Sequence, residues 1–599
     1  MIEPTRDEQR AWPLRAFALL ALGALCGIAV HFLTRGPQPW QWSDRPVNLG
    51  AAAFVSCGGI IFAFSLERQR WTWSAAFALL AGLVLGLVTY ANGRFSLWGS
   101  NEGWQFFSAL LAIAIAVPLF QTARDSGRPR LDYQKLHAHS WTNIVLWGAA
   151  WAFVLAAFLL AHLLAQLFDL IGIHLLSDLL RKGWFDGMLV GGALGAAIGM
   201  LRDRDRVLGL LQRVATAILS VLTPILAAGL VLFVLSLPFT GLEPLWSQTK
   251  ATTPILLTCV LGAFFLVNAT VGSGPDEEPR SPILRHAALA LAAVMLPLAI
   301  VAAVSTGKRV GQYGLTPDRL WAMVFLLMAL ACGLGYWVAI VRRRLRWPED
   351  MWRVNIGLAL GICALSLLLA LPVLSFGAIS AHNQVARLQA GRVAPDKFDW
   401  AALRFDFGPA GAEAARRLAD QAGDPKVRAL AARAAAAADR NAVRTLQETA
   451  QRAALPRIVT VLPNAAPAPK EIVDLLFAEE TSRTPAGLCV DTGRCLLKWQ
   501  PGEHVAAAML DTCAPDPREP GKPGAARYGS CRLPVRLLEL TDKGWREAGE
   551  MATGQLAAQS SDPAIRAARA AALKGDVEVR EAKVRQVYIG GQPAGSPYR

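Results

Sequence analysis

The sequence predicts an all-α polytopic membrane domain, followed by a helical segment and a small α+β extramembrane domain. Two observations carry this prediction: eleven apolar stretches fill residues 1–379, and the tail of residues 380–599 is polar. A helix needs about 20 apolar residues to cross the core of a bilayer, and in lipid only helices or closed barrels satisfy the backbone polar groups. A soluble protein is not expected to contain eleven such stretches in series.

Each span is predicted where an apolar run lacks charge and shows no alternation with polar residues. The second and sixth spans are short and rich in Gly and Ala, which suits close helix packing around Gly191, Gly192, Gly195 and Gly199. The central parts of the spans contain no Asp, Glu, Lys or Arg, which disfavours ion-coupled transport. The predicted spans are 14–33, 47–65, 71–90, 103–120, 141–167, 184–201, 214–237, 251–270, 283–305, 319–341 and 355–379.

Composition divides the chain into a transmembrane domain at 1–379, a helical linker region at 380–460 and a small α+β domain at 461–599. Ala-rich runs predict helices within 397–455, and Pro425 suits a helix start. A Pro-rich linker is expected at 461–469. The predicted strands and turn of the last domain are 495–499, 505–510, 535–540, 577–589 and the turn 541–544.

The loops between spans differ in their basic residues. Lys and Arg concentrate at the N-terminus and in the even-numbered loops, for example Arg124, Arg202 and Arg343. Because cytoplasmic loops carry the excess of Lys and Arg, this bias predicts a cytoplasmic N-terminus. An odd number of spans then places the tail on the other side of the membrane, and an error of one span would reverse that conclusion.

Four cysteines lie in the tail: Cys489, Cys495, Cys513 and Cys531. Their clustering suggests two disulfides, which persist only in an oxidising compartment. Sequential pairing, Cys489–Cys495 and Cys513–Cys531, would close two short loops. Free thiols and zinc are the alternatives, and zinc usually requires a close C-x2-C pair, which is absent here.

Two odd-numbered loops have unusual compositions. Residues 167–185 predict an amphipathic segment in the membrane interface, and its His174 is interpreted as a surface residue. In the loop 305–322, Thr316 is expected to cap the next helix, with Pro317 in its first turn.

Capping does not account for Lys308, Arg309, Tyr313 and Arg319 in the same loop. Cations and a phenol beside the membrane are typical of lipid-headgroup anchoring, and they also suit a binding site for an anionic ligand. These four residues are the candidate ligand-binding residues of the sequence.

Enzyme motifs are lacking. The sequence contains no P-loop, G-x-S-x-G, H-E-x-x-H or dinucleotide-binding glycine pattern, so no catalytic residue, cofactor or metal site is predicted. Of the net charge of +15, nine units lie in residues 1–379, mostly in loops expected to face anionic lipid, and six are spread through the tail without a block, so nucleic acid is not an expected partner.

Three stretches carry a family resemblance: YGLTPDR at 313–319, LFDLIGI at 167–173 with the WFDG that follows, and FDWAALRFDFGPAGAEAARRLA at 398–419. They resemble the signature stretches of a bacterial membrane-protein family known as domain-of-unknown-function family 4153. The resemblance covers the spans and the start of the tail. It implies a polytopic inner-membrane protein, and it brings no established activity.

The function predicted from these observations is a multi-pass protein of a bacterial inner membrane whose external tail binds or senses an envelope component. The expected partners are membrane lipids, together with an envelope protein or a lipid-linked glycan. A transporter and a lipid-linked transferase are the alternatives. Lipid-linked transferases generally place acidic residues in a sizeable early outer loop. The first outer loop here, 34–46, is short and has Asp44 as its only acidic residue, which disfavours the transferase.

Overall fold

The structure is a computed structural model of the chain. The chain divides into two compact units, residues 1–436 and 437–599. The structure describes single positions between 567 and 576 and the ranges 13–36, 45–68, 70–92, 101–127, 131–242, 251–445, 457–462, 467–478, 488–489, 494–510, 532–542, 544–547, 553–557, 585–589 and 592–598.

The first unit contains the membrane domain. Within the described ranges, eleven helices are long and apolar enough to cross a membrane, so the predicted number of spans is confirmed. A short helix, α6 (Leu175–Leu180), lies between the fifth and sixth spans. The spans are α1 (Pro13–Thr34), α2 (Pro46–Ser65), α3 (Trp71–Asn92), α4 (Asn101–Ser126), α5 (Tyr133–Leu170), α7 (Gly183–Arg202), α8 (Asp205–Thr240), α9 (Thr252–Val271), α10 (Pro282–Tyr313), α11 (Pro317–Arg343) and α12 (Trp347–Ala370).

Several helices extend beyond the predicted spans. The fifth begins at Tyr133 rather than at 141, and the ninth continues to Tyr313 rather than ending at 305. Hydropathy detects only the apolar part of a helix, and turns with polar side chains continue beyond it. As a consequence, most of the predicted loop 305–322 is helical.

The last span is shorter than predicted. It ends at Ala370 instead of 379, and Pro372 follows shortly after. Proline is common just past a helix end because it cannot continue the helix. A separate helix, α13 (Phe376–Gln389), then begins after Ser375, whose hydroxyl accepts the Ala378 N–H at 3.1 Å.

The eleven spans pack around two apolar cores. One core is formed mainly by α1–α5 and α7, and the other by α8–α12. Helices α1 and α7 touch through their backbones, since a Cβ on Gly191 would overlap the carbonyl of Gly23 and one on Gly195 that of Leu19. The close packing predicted from the Gly-rich sixth span is therefore confirmed.

Three helical elements follow α13 in the first unit: a π-helical turn (Ala402–Asp406), α14 (Gly408–Gln421) and α15 (Pro425–Ala436). The predicted helices are confirmed in 402–436, together with the helix start at Pro425, whereas residues 446–455 of the predicted helical stretch lie outside the described residues. Glycine allows the elements to pack closely, because a Cβ on Gly377 of α13 would overlap the Phe407 carbonyl.

The second unit contains a mixed sheet of order β1-β2-β3-β4-β5, in which β6 also pairs with β4. Strands β1 and β2 run parallel, joined across α16 (Lys470–Leu476), and the other pairs are antiparallel. A separate hairpin is formed by β7 and β8. The strands are β1 (Ile458–Leu462), β2 (Arg494–Lys498), β3 (Val505–Met509), β4 (Arg532–Thr541), β5 (Gly544–Glu547), β6 (Thr553–Ala557), β7 (Arg585–Ile589) and β8 (Gln592–Tyr598).

The predictions for the second unit are mostly confirmed. Strands β2, β3 and β4 match three predicted stretches to within a few residues, and Thr541 pairs with Gly544 across the predicted turn. Strand β7 matches the end of the predicted strand 577–589, whose residues 577–584 lie outside the described residues. The expected linker at 461–469 is wrong in its first residues, because β1 continues to Leu462. Strand pairing to a distant partner, not local composition, fixes that element.

One pair of tail cysteines lies in the described residues. The structure joins Cys489 to Cys495 in a disulfide. Cys513 and Cys531 lie outside the described residues, and their pairing stays a prediction.

Candidate functional site

The predicted ligand-binding residues surround the turn between α10 and α11, which we call the 311–316 turn. Lys308, Arg309 and Tyr313 lie in the last turns of α10, so their predicted position in a loop is wrong. Thr316 caps α11 as predicted, with its side chain accepting the Arg319 N–H at 3.4 Å.

Helix α13 is hydrogen-bonded to this turn. The Leu315 N–H donates to Asn383 Oδ1 at 2.9 Å. Gln384 Nε2 donates to the carbonyls of Tyr313 and Leu315 at 2.9 and 2.8 Å. We call this contact of α13 with the 311–316 turn the joint.

Arg387 completes the joint from the next turn of α13. Its Nη2 donates to the Gln312 carbonyl at 2.7 Å, and its Nη1 lies 3.4 Å from the Gly311 carbonyl. These carbonyls belong to the last turn of α10. The negative end of the helix dipole lies there and stabilises a cation. The arginine therefore ties the C-terminal end of α10 to α13.

Gly314 permits this close approach. Its φ of 75° lies in the left-handed region, which favours glycine. A Cβ at this position would lie 2.6 Å from Arg387 Cδ and 2.8 Å from Asn383 Oδ1. The glycine of the YGLTPDR stretch is thus explained by the joint.

Arg319 lies on the other side of Gly314. Its Nη1 donates to the Gly314 carbonyl at 2.6 Å, and its guanidinium lies 5.4 Å from the centre of the Tyr313 ring. Arg309 and Arg387 are close enough to repel Arg319 electrostatically, whereas Asp318 attracts it. We call Arg309, Arg319 and Arg387 the tail-side arginine group, because they lie at the end of the bundle where α12 leads into the tail.

A second set of arginines, Arg15, Arg202 and Arg124, lies at the opposite end of the bundle and is called the N-side arginine group. Arg15 Nη2 lies 2.5 Å from Asp203 Oδ1, and both side chains are largely buried. Arg202 forms an ion pair with Glu67 and also donates to the Phe64 carbonyl at the end of α2.

Arg124 is the third member of the N-side group. It pairs with Asp125 at 2.8 Å and donates to the Ser65 carbonyl at 2.5 Å. Each N-side arginine thus has its own carboxylate, and two of them also bind carbonyl groups that the end of α2 leaves without helical partners.

The spans also enclose a ring of polar side chains that sequence reasoning did not identify. Asn355 Nδ2 donates to Tyr133 Oη and Asn268 Oδ1, and Tyr336 Oη donates to Asn355 Oδ1. Asn268 in turn accepts from Tyr133 and donates to Tyr336 and the Phe264 carbonyl. All the side-chain donors of the ring are used, as expected of a structural network.

The predicted amphipathic segment is a turn followed by α6. Asp169 Oδ1 accepts the Ser177 hydroxyl and lies 2.9 Å from His174 Nδ1, and these contacts stabilise the turn. Large apolar side chains here are exposed, including Leu170 and Leu175. Helix α6 packs against α5 and α7, whereas the 311–316 turn is hydrogen-bonded to α13.

Metal coordination was not predicted. In the ranges that the structure describes, no group of three or more His, Cys, Asp or Glu residues could hold a metal ion.

The family described as Domain of unknown function (DUF4153) matches residues 49–418. The chain belongs to this family. The matched region begins in α2, ends in α14 and contains the whole joint. No curated protein and no solved structure matches this DUF4153 chain.

Asn383, Gln384 and Arg387 are the residues that the sequence reasoning missed. They were assigned to no site because the predicted last span ran to 379 and the helix after it was not separated. The signal that could have found them is Pro372 followed by Ser375, which marks the end of one helix and the cap of the next.

Proposed function

We propose that this DUF4153 protein is a multi-pass protein of a bacterial inner membrane whose tail lies outside the cytoplasm and binds or senses an envelope component. The joint is the observation that carries the proposal. A tail that only had to be displayed could follow the last span on an unrestrained linker. Here the chain turns back after α12, and α13 makes hydrogen bonds to the 311–316 turn.

The joint gives the tail-side helices a fixed position on the membrane domain. The elements after α13 continue this packing, since Gly377 contacts the Phe407 carbonyl and Gly411 contacts the Leu403 carbonyl. A fixed position is what a binding protein needs if its ligand is to be held at a defined place above the membrane. The expected partners are an envelope protein or a lipid-linked glycan, with membrane lipids around the spans.

Placement of the tail outside the cytoplasm is supported by the Lys and Arg bias of the loops and by the clustered tail cysteines. A reporter that is active only in the periplasm, fused after Arg599, should be active. The same reporter fused after Arg344, behind ten spans, is the matched control and should be inactive. Activity of a cytoplasm-only reporter after Arg599 would contradict the proposed placement.

The cysteines give an independent test of the compartment. Non-reducing peptide mapping of protein purified with its thiols blocked should recover Cys489 joined to Cys495 and Cys513 joined to Cys531. Four alkylated free thiols would contradict an oxidising environment for the tail.

The ligand itself is tested by capture from native membranes with the full-length protein. An envelope protein that co-purifies with the wild type, and less with an Asn383→Ala/Gln384→Ala variant, would support a binding protein whose tail-side helices are held by the joint. Capture of a sugar-linked lipid that the protein then modifies would instead support the lipid-linked transferase.

A further inference from the structure

We infer that the tail-side arginine group is a binding site for a phosphate ester, of the kind present in an anionic lipid headgroup. The inference rests on the proposed function in placing the group at the outer face of the membrane. It adds the class of ligand and the side chains that hold it: Arg309, Arg319 and Arg387, with Tyr313 beside them.

Charge is the first argument. Three guanidinium groups lie close together here, and in the described part of the chain none of them forms an ion pair with a carboxylate. Asp318 is near enough to attract Arg319, but it cannot balance three positive charges. In the N-side arginine group, by contrast, each arginine has a carboxylate partner. The tail-side group therefore favours an anion.

Unused hydrogen-bond donors are the second argument. Arg319 uses Nη1 for the Gly314 carbonyl, and its Nε and Nη2 meet no acceptor among the described residues. The guanidinium of Arg309 is likewise without a protein acceptor in those ranges. Arg387 Nε is buried and also lacks an acceptor there. Phosphate oxygens match such donors, because guanidinium groups bind them through paired, charge-assisted hydrogen bonds.

Position is the third argument. The group lies at the ends of α10 and α11, where the chain leaves the apolar region of the bundle. Tyr313 is 60 % exposed beside Arg319, and tyrosine is enriched at the depth of lipid headgroups. A phosphate carried by a lipid would reach these side chains without leaving the membrane interface.

Titration of the purified full-length protein tests the inference. Native mass spectrometry would measure binding of phosphatidylglycerol, with phosphatidylcholine as the zwitterionic comparison, and inorganic phosphate would be titrated in parallel by calorimetry. We expect binding of phosphatidylglycerol in preference to phosphatidylcholine. Binding of phosphatidylglycerol well above that of inorganic phosphate identifies the lipid headgroup as the source, and comparable binding identifies free phosphate esters; both outcomes support the site.

Three variants decide whether these arginines are responsible. Arg309→Gln removes a guanidinium that holds no protein group, so the fold is kept, and phosphate-ester affinity should fall about tenfold. Arg319→Lys keeps the charge and loses the planar fork, and it should also weaken binding. Arg343→Gln is the matched control at the other end of α11, where Arg343 already pairs with Glu349.

Wild-type affinity in Arg309→Gln, or an equal loss in Arg343→Gln, would overturn the inference. So would the failure of both phosphatidylglycerol and inorganic phosphate to bind the wild type. Because the purified protein exposes both of its ends, these results do not depend on which side of the membrane the tail occupies. Failure of the placement in the reporter test is thus distinguishable from failure of the phosphate site.

Discussion

The N-side and tail-side arginine groups lie at opposite ends of the membrane domain and have different surroundings. Each arginine of the N-side arginine group is paired with a carboxylate, and Arg124 and Arg202 also bind carbonyls at the end of α2. At the tail side, Arg319 and Arg387 bind backbone carbonyls of the 311–316 turn, and no carboxylate in the described residues pairs with them. From this difference we infer that the tail-side arginine group, whose charge no carboxylate in the described residues balances, is the group that binds an anionic ligand.

The largest loss of stability is expected when an ion pair of the N-side arginine group is broken. Arg15→Gln would leave Asp203, whose side chain is 20 % exposed, without its cation. Removal of one partner from a largely buried ion pair costs about 3 kcal/mol, so the thermal unfolding temperature should fall clearly. The double variant Arg15→Gln/Asp203→Asn should recover part of the loss. An unfolding temperature equal to that of the wild type would show that this group does not stabilise the bundle.

Gly314→Ala should cause the next largest loss of stability, and this loss should be located at the joint. The φ of 75° and ψ of −173° at Gly314 are strained for any other residue, at a cost of about 1–3 kcal/mol. The new Cβ would also meet Arg387 and Asn383. Hydrogen exchange should become faster in 376–389. Gly311→Ala, where a Cβ meets nothing within 4 Å, is the control and should leave that exchange unchanged.

A smaller loss of stability is expected when the N-terminal cap of α11 is removed. Thr316→Ala removes the side-chain acceptor of the Arg319 N–H and should lower the free energy of unfolding by about 1 kcal/mol. Thr316→Ser keeps the hydroxyl and should restore most of the stability, as measured by thermal unfolding of the purified protein. Equal stabilities of the Ala and Ser variants would show that the cap does not contribute.

Arg309→Gln should have the smallest effect on stability, within about 0.5 kcal/mol, because Arg309 bonds to no described protein group. Its unfolding temperature should match the wild type in phosphate-free detergent. A loss as large as that of Arg15→Gln would mean that the tail-side group is structural after all.

Much of the membrane domain could be predicted because each span carries its own signal. An apolar run long enough to cross a bilayer is visible without knowledge of its neighbours, and all eleven predicted spans are present. The ends of the helices were predicted less well. The extension of α10 to Tyr313 contains Lys308 and Arg309, and a hydropathy criterion cannot distinguish such polar helical turns from loops.

The site was predicted only in part, for the same physical reason. Cationic and phenol side chains are conspicuous beside an apolar span, and this composition identified Lys308, Arg309, Tyr313 and Arg319. Arg387 lies 68 residues further along the chain than Arg319, and it joins them through hydrogen bonds to the 311–316 turn. No local sequence pattern near 387 indicates those hydrogen bonds. Whether the four predicted residues bind a ligand stays a prediction.

Hydrogen exchange of the full-length protein, with and without phosphatidylglycerol, tests the central comparison most directly because it reports both ends of the bundle in one experiment. We expect the lipid to change exchange at 309–319 and 376–389, and to leave the segments around Ser65 and Arg202 unchanged. Equal changes at both ends, or a change confined to the N-side segments, would contradict the conclusion that the unbalanced arginines are those available to a ligand.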